Sequence, residues 1–133
     1  MNTREILAHY AHTPKVMDMF KWLKNPKQHV YVSGIAGSFK SFLTSAAFVE
    51  LDKSIVYIAH NPEEARYVFQ DIHNILGKSV AHYLPPSFNK SYHVDSPSNN
   101  AIQERSEILL QLRKTNKPMV LVASIEAIAE KVI

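Results

Sequence analysis

Short apolar runs alternate with longer amphipathic stretches along this chain of 133 residues. Runs that are rich in β-branched and aromatic residues and bounded by Gly, Pro, Asn or Ser are typical of β-strands. The run at 54–59 is apolar nearly throughout, as in a strand that is covered on both faces. On this basis the sequence predicts four strands, at 29–33, 54–59, 79–84 and 119–123.

The stretches between these runs repeat apolar residues at helical spacing. The clearest helix start is Asn61-Pro62, because Asn can cap a helix and Pro suits its first position. The apolar stripe that follows it stops at Gly77, a C-cap signal. The sequence therefore predicts helices over 2–9, from Thr13-Pro14 to 24, over 40–51 and 62–76, from about 99 to 114, and after Ser124.

Strands that alternate with helices indicate a parallel sheet with helices on both faces. The predicted fold is a single three-layer α/β domain over residues 1–133, with a mainly parallel sheet and the topology of P-loop NTPases. Residues 1–12 are expected to form a flexible or peripheral helix. The last helical pattern shows no C-cap signal, so we expect the chain to be part of a longer protein.

The stretch Val30-Tyr-Val-Ser-Gly-Ile-Ala-Gly-Ser-Phe-Lys-Ser41 holds two of the three glycines, Gly34 and Gly37. Glycine allows the positive φ angles and the close backbone approach of a phosphate-binding loop. The stretch follows the P-loop pattern G-x-x-x-x-G-K-[ST] at Gly34, Lys40 and Ser41, but Phe39 stands where the pattern has its second glycine. The loop therefore has the outline of a P-loop and lacks one of its glycines.

In an intact P-loop the backbone N–H groups hold the phosphates, the lysine reaches the β- and γ-phosphates, and the hydroxyl binds Mg²⁺. We expect Phe39 to disturb that backbone, and no predicted strand runs out into the Asp or Glu that would hold Mg²⁺. Two interpretations stay open: a loop that still binds nucleotide, and a remnant in which Ser38 or Ser41 only caps the helix. The candidate nucleotide-binding residues are Gly34, Gly37, Ser38, Lys40 and Ser41, with no catalytic residue among them.

Charge is unevenly distributed, although the formal net charge is only +3. Residues 1–40 carry six Lys or Arg against two acids, and residues 41–133 carry nine against ten. The basic third permits contact with nucleic acid or an acidic partner, or is an ordinary solvated surface. The absence of cysteine excludes disulfides and thiolate metal sites. No apolar run is long enough to span a membrane and no signal peptide is evident, so we expect a cytoplasmic protein.

Seven scattered histidines do not predict a metal site, since only His9 and His12 have helical i, i+3 spacing. His60 follows a predicted strand, where we expect it to order the turn. The loop Phe88-Asn-Lys-Ser-Tyr-His93 mixes aromatic residues with one lysine. That composition fits either base stacking on single-stranded DNA or a loop that covers the core.

Several segments, taken in order, carry a family resemblance. They are the glycine loop, Val56-Tyr-Ile-Ala-His-Asn-Pro-Glu-Glu-Ala65, Asp95-Ser-Pro-Ser98, Gln103-Glu-Arg-Ser-Glu-Ile-Leu-Leu-Gln-Leu112 and Val120-Leu-Val-Ala-Ser124. Over roughly residues 10–133 the chain resembles the N-terminal module of the bacterial transcription-repair coupling factor (Mfd) family. That module is itself similar to the first helicase-like domain of excinuclease B, the helicase-like component of the bacterial excision-repair enzyme.

The resemblance implies a parent protein that is an ATP-dependent translocase on double-stranded DNA. Such a protein displaces stalled RNA polymerase and recruits nucleotide excision repair, with excinuclease A docking mainly on an adjacent module. The motor that uses ATP and Mg²⁺ lies elsewhere in the parent, and no cofactor is expected in this module. Two departures from excinuclease B fit this assignment: Phe39 in the loop, and a stretch at 85–99 too short for the DNA-clamping hairpin.

Three function hypotheses follow from the sequence. The first is a non-catalytic scaffold and interaction module of a coupling factor, as the incomplete loop and the matching segments indicate. The second is a nucleotide-binding fragment of an active helicase related to excinuclease B, which Gly34, Lys40 and Ser41 favour. The third is a single-strand DNA binder that uses the basic N-terminal third with Phe88 and Tyr92.

Overall fold

The computed structural model describes residues 1–87 and 99–130, and within them helices flank a small sheet. The strands are β1 (Ile55–Ala59), β2 (Ala81–Leu84) and β3 (Val120–Ser124). The helices are α1 (Thr3–Ala11), α2 (Pro14–Leu23), α3 (Phe39–Leu51), α4 (Pro62–Leu76), α5 (Asn99–Lys114) and α6 (Ile125–Ala129). None of the helices within the described ranges combines the length and the apolar composition needed to cross a bilayer.

The sheet has the strand order β1-β3-β2, and both pairings are parallel. Tyr57 of β1 and Tyr83 of β2 both stand opposite Val122 of the central strand. All five residues of β3 are buried, as expected for a central parallel strand. The prediction of an α/β fold with a parallel sheet is therefore confirmed.

Helices cover the two faces of β3 separately, because successive side chains of a strand point to opposite faces. Val120 and Val122 pack with Val68 and Ile72 of α4. On the other face, Leu121 packs in a second cluster with residues of α5 and α6. The sheet is thus the middle of three layers.

The N-terminal helices form a third apolar cluster against α3. Leu7 and Ala11 of α1 and Phe20 of α2 are buried there with Ala46 and Ala47. The two alanines allow the helices to approach closely. Helix α1 is therefore packed on α3 and contributes to the core.

Local signals set most helix starts. Asn61 accepts a hydrogen bond from the backbone N–H of Glu64 at 2.8 Å and caps α4, as predicted. Ser124 caps α6 in the same way, through the N–H of Ala127. Thr13 precedes α2 without capping it, since its hydroxyl donates instead to the carbonyl of Tyr10 at 2.9 Å.

Two sequence predictions about strands are wrong. Residues 29–33 form no strand within the described sheet, and Tyr31 is 93 % exposed. A strand needs a neighbour for its N–H and C=O groups, and residues 29–33 pair with none of the three strands, although β1 and β2 each have only β3 as a neighbour in the described sheet. The strand predicted at 54–59 was expected to be covered on both faces. Strand β1 has one open face instead, because Val56 and Ile58 are 56 % and 55 % exposed.

Candidate functional site at the start of α3

The glycine loop joins an irregular segment to α3. Gly34 and Gly37 have φ angles of +76° and +58°, a conformation that L-residues with a side chain adopt rarely. This confirms the prediction that the loop has a backbone geometry suited to glycine. The loop does not follow a strand in the described sheet, in contrast to the strand-loop-helix order that the sequence predicts.

Phe39, which replaces the P-loop glycine, is the first residue of α3. Its ring packs edge-on against Tyr10 of α1, with 5.2 Å between the ring centroids and 70° between the planes. Phe39 therefore ties the start of α3 to α1. Its ring does not line the cleft that Lys40 and Ser41 enter.

Lys40 forms an ion pair across the cleft. Its Nζ donates to Oε1 of Glu64 at 2.9 Å, joining the first turn of α3 to the first turn of α4. The hydrogen bond that Lys40 donates to Glu64 raises the pKa of Lys40 above 10.5. The same bond, followed by one from the N–H of His60, lowers the pKa of the Glu64 carboxyl below 4.5. Each partner thus stabilises the charged form of the other.

Ser41 is buried, and its hydroxyl donates to Oδ2 of Asp71 at 3.1 Å. It does not cap α3, and Ser38, at the N-cap position, makes no side-chain capping bond either. The interpretation of Ser38 or Ser41 as a helix cap is therefore wrong. The residue that a P-loop uses to hold Mg²⁺ is here bound to a carboxylate of α4.

These residues line an open cleft of about 550 Å³ between α3 and α4. Gly34 lies outside it, so the structure brings together four of the five predicted site residues. Because the cleft holds three carboxylates and one lysine, its charge disfavours an anionic ligand. The lining includes Gly37, Ser38, Lys40 and Ser41 from the loop side, with Asn61, Glu63, Glu64, Tyr67 and Asp71 from α4 and its N-cap.

Sequence reasoning missed Glu64 and Asp71 as site residues. It sought an acidic residue where strands end, whereas both acids lie on α4. Their spacing of seven residues was the available signal, since it places two residues on the same face of a helix. Matching that face to Lys40 and Ser41 would have required knowing that α3 and α4 are neighbours.

Within residues 1–87 and 99–130, no group of three or more histidine or acidic side chains is arranged to hold a metal ion. His12 instead has Nδ1 2.6 Å from the carbonyl oxygen of Ala8. Phe88, Tyr92 and His93, the residues considered for base stacking, lie outside the described residues.

Comparison with protein-family models, with curated proteins and with solved structures finds no match to this chain.

Proposed function

We propose that this chain is a non-catalytic scaffold and interaction module, and that its glycine loop is the remnant of a nucleotide site. One observation carries the proposal. The two side chains that would contact phosphate and Mg²⁺, Lys40 and Ser41, are bound by Glu64 and Asp71 of the same chain.

A bound nucleotide would have to displace the Glu64 carboxylate, because its triphosphate would compete with Glu64 for the lysine. The Ser41 hydroxyl donates its proton to Asp71, so Mg²⁺ would have to share the Ser41 oxygen with that hydrogen bond. Both acids would then remain in the cleft, beside the phosphates, together with Glu63. Like charges at such short range in a partly buried site raise the free energy of the bound state.

The finer fold assignment belongs to the same proposal. In this interpretation the domain descends from a P-loop NTPase of the helicase type, in which a strand leads into the loop and α3 follows it. The positive φ angles of Gly34 and Gly37 and the position of Lys40 in the first turn of α3 support that origin. Phe39 and the irregular segment at 29–33 are where the chain departs from it.

For the parent protein, we propose a transcription-repair coupling factor of the Mfd family. The module would serve nucleotide excision repair in the cytoplasm, without binding ATP or Mg²⁺ itself. The parent would use ATP and Mg²⁺ in a separate motor, act on double-stranded DNA and RNA polymerase, and recruit excinuclease A. The support is the ordered set of matching segments from 30–41 to 120–124.

A specific observation favours a second candidate, a nucleotide-binding fragment of an active helicase. Gly37, Ser38, Lys40 and Ser41 still line one cleft, and Gly34 and Gly37 both have positive φ angles. In that case the bond between Lys40 and Glu64 would break when nucleotide binds.

Calorimetric titration with ATP and Mg²⁺ separates the two. We expect no binding heat for the unchanged chain or for Lys40→Ala. The double variant Glu64→Gln, Asp71→Asn removes the competing carboxylates, and binding by this variant alone would show that they close the site. Binding by the unchanged chain that is lost in Lys40→Ala would overturn the proposal and establish the second candidate.

A further inference from the structure

The whole net charge of the chain belongs to one segment. Residues 13–35 carry four lysines against Asp18, a formal charge of +3, while the remaining residues balance at eleven basic and eleven acidic side chains. This segment comprises α2 and the irregular stretch that leads into the glycine loop. Its lysines are Lys15, Lys21, Lys24 and Lys27, and all four are exposed.

The same segment borders an open apolar groove of about 780 Å³, here called the α2 groove. Helix α2 forms one wall, residues 30–35 form the other, and the start of α3 forms the floor. Lys15 and Asp18 lie at its edge. The apolar lining includes Val16, Met19, Trp22, Val32, Phe39 and Leu43.

Large apolar side chains that line this groove are exposed to solvent. Trp22 is 59 % exposed, and Tyr31, on the opposite wall, is 93 % exposed. Val32 beside it is exposed as well. Clustered apolar surface of this kind, next to charged residues, marks protein interaction sites.

We propose that the α2 groove docks an acidic amphipathic helix of a partner protein. The apolar stripe of that helix would enter the groove, and its acidic face would meet Lys15, which lines the groove, and the exposed Lys21, Lys24 and Lys27 of the same segment, which lie outside the lining. A wall of ten residues is about 15 Å long, which matches about three turns of a partner helix. The inference rests on the proposed function only in treating the chain as an interaction module.

The residues that line the groove favour an acidic peptide over a nucleic acid, although both ligands are negatively charged. Val16, Met19 and Leu43 offer aliphatic contacts, which accept the side chains of Leu or Ile. Nucleic-acid surfaces instead combine a basic track with rings on which successive bases stack. Here the exposed rings of Trp22 and Tyr31 come from two different segments and share the lining with the aliphatic side chains of Val16, Met19, Val32 and Leu43.

The test uses the complete 133-residue chain and its single tryptophan, Trp22, as the fluorescent probe. The ligand is a synthetic helix of about 15 residues with leucine at i, i+3, i+4 and i+7 and glutamate on its other face. A twin peptide carries lysine in place of each glutamate, and an oligothymidylate of about 15 nucleotides represents single-stranded DNA. We expect the acidic peptide alone to shift the Trp22 emission to the blue, with an affinity that falls as salt rises.

Variants locate the contact. The charge reversal Lys15→Glu, Lys21→Glu, Lys24→Glu and the single change Val32→Asp are each expected to weaken acidic-peptide binding by about tenfold or more. Because all these side chains are exposed, the variants are expected to fold. The matched controls are Lys53→Glu, Lys78→Glu and Val49→Asp, which change exposed residues outside the groove and are expected to leave binding unchanged.

Three results would overturn the inference: no binding of the acidic peptide, equal binding of the lysine twin, or tighter binding of the oligothymidylate. None of them bears on the nucleotide titration, since Lys40 and Glu64 do not line the α2 groove. Conversely, ATP binding at Lys40 would overturn the proposed function and leave the peptide result standing.

Discussion

Lys40 and Glu64 lie 24 residues apart in sequence, yet Nζ of the lysine is 2.9 Å from Oε1 of the glutamate. The pair joins the first turns of two neighbouring helices, and Glu64 also accepts the N–H of His60 at 3.1 Å. The residue that would bind phosphate therefore serves as a structural link between α3 and α4. The contribution of this ion pair to the free energy of unfolding is expected to depend on pH.

Glu64→Gln is expected to destabilise the fold at neutral pH and to have no effect in acid. The pKa of Glu64 is lowered in the folded state, so its stabilisation is complete above the ordinary value of 4.5 and is lost as the pH falls further. The pKa of Lys40 is raised in the folded state, so on the alkaline side the stabilisation by the ion pair is complete up to pH 10.5 and is lost only above that pH. Urea unfolding of both proteins between about pH 3 and pH 9 measures the difference.

Glu63→Gln is the matched control, because Glu63 is an exposed acid one residue earlier in the same helical turn. We expect this variant to follow the unchanged chain across the pH range. A difference between Glu64→Gln and the unchanged chain that persisted undiminished at pH 3 would contradict the role of the ion pair.

Removing the N-cap of α4 should loosen the same site. Asn61→Ala loses the 2.8 Å bond to the N–H of Glu64, and we expect a loss of about 1 kcal/mol in the free energy of unfolding. Asn61→Ser keeps an oxygen that can accept this bond and should retain most of the stability. Chemical denaturation measures both, and equal losses would show that the capping oxygen is not what stabilises the helix.

The elements that were predictable from sequence are those with local causes. Asn61, Pro62 and Gly77 each act on the backbone within one turn, and α4 begins and ends where they indicate. The strand at 29–33 failed for the opposite reason. Its β-branched and aromatic residues favour an extended backbone, but a strand exists only beside a partner, and local composition does not report whether the segment packs beside a sheet edge.

The candidate site divides in the same way. Gly34 and Gly37 were recognisable because a positive φ angle is a property of single residues. Glu64 and Asp71 were missed because their role arises only when α4 packs beside α3. A motif can thus indicate a phosphate loop, while the charges that oppose phosphate come from a distant part of the chain.

Another ion pair joins α5 to Glu130, the residue that follows α6. Arg105 of α5 is buried, with its guanidinium 3.6 Å from the Glu130 carboxylate and 3.2 Å from the carbonyl of Pro85. The backbone N–H of Ser87 also donates to that carboxylate, at 2.8 Å. We expect Glu130→Ala to lower the free energy of unfolding by about 3 kcal/mol, because it leaves the buried charge of Arg105 without its carboxylate partner.

The double variant Arg105→Met, Glu130→Leu tests that explanation by thermal and urea unfolding. Replacing both charges with apolar residues removes the cost of burying them, so the double variant should be more stable than Glu130→Ala alone. If the double variant were no more stable than Glu130→Ala, the unpaired charge of Arg105 would not be the source of the loss.

Helices cover some parts of the sheet and leave others exposed, so similar substitutions should lower the free energy of unfolding by different amounts. Ile72 of α4 is fully buried against β3, and Ile72→Ala is expected to lose about 3 kcal/mol of unfolding free energy through the cavity it leaves. Ile58 of β1 is as large but 55 % exposed, so Ile58→Ala should cost about 1 kcal/mol or less. Equal costs in urea unfolding would mean that the outer face of β1 is buried in solution, and the strand would then have the two covered faces that its apolar sequence suggests.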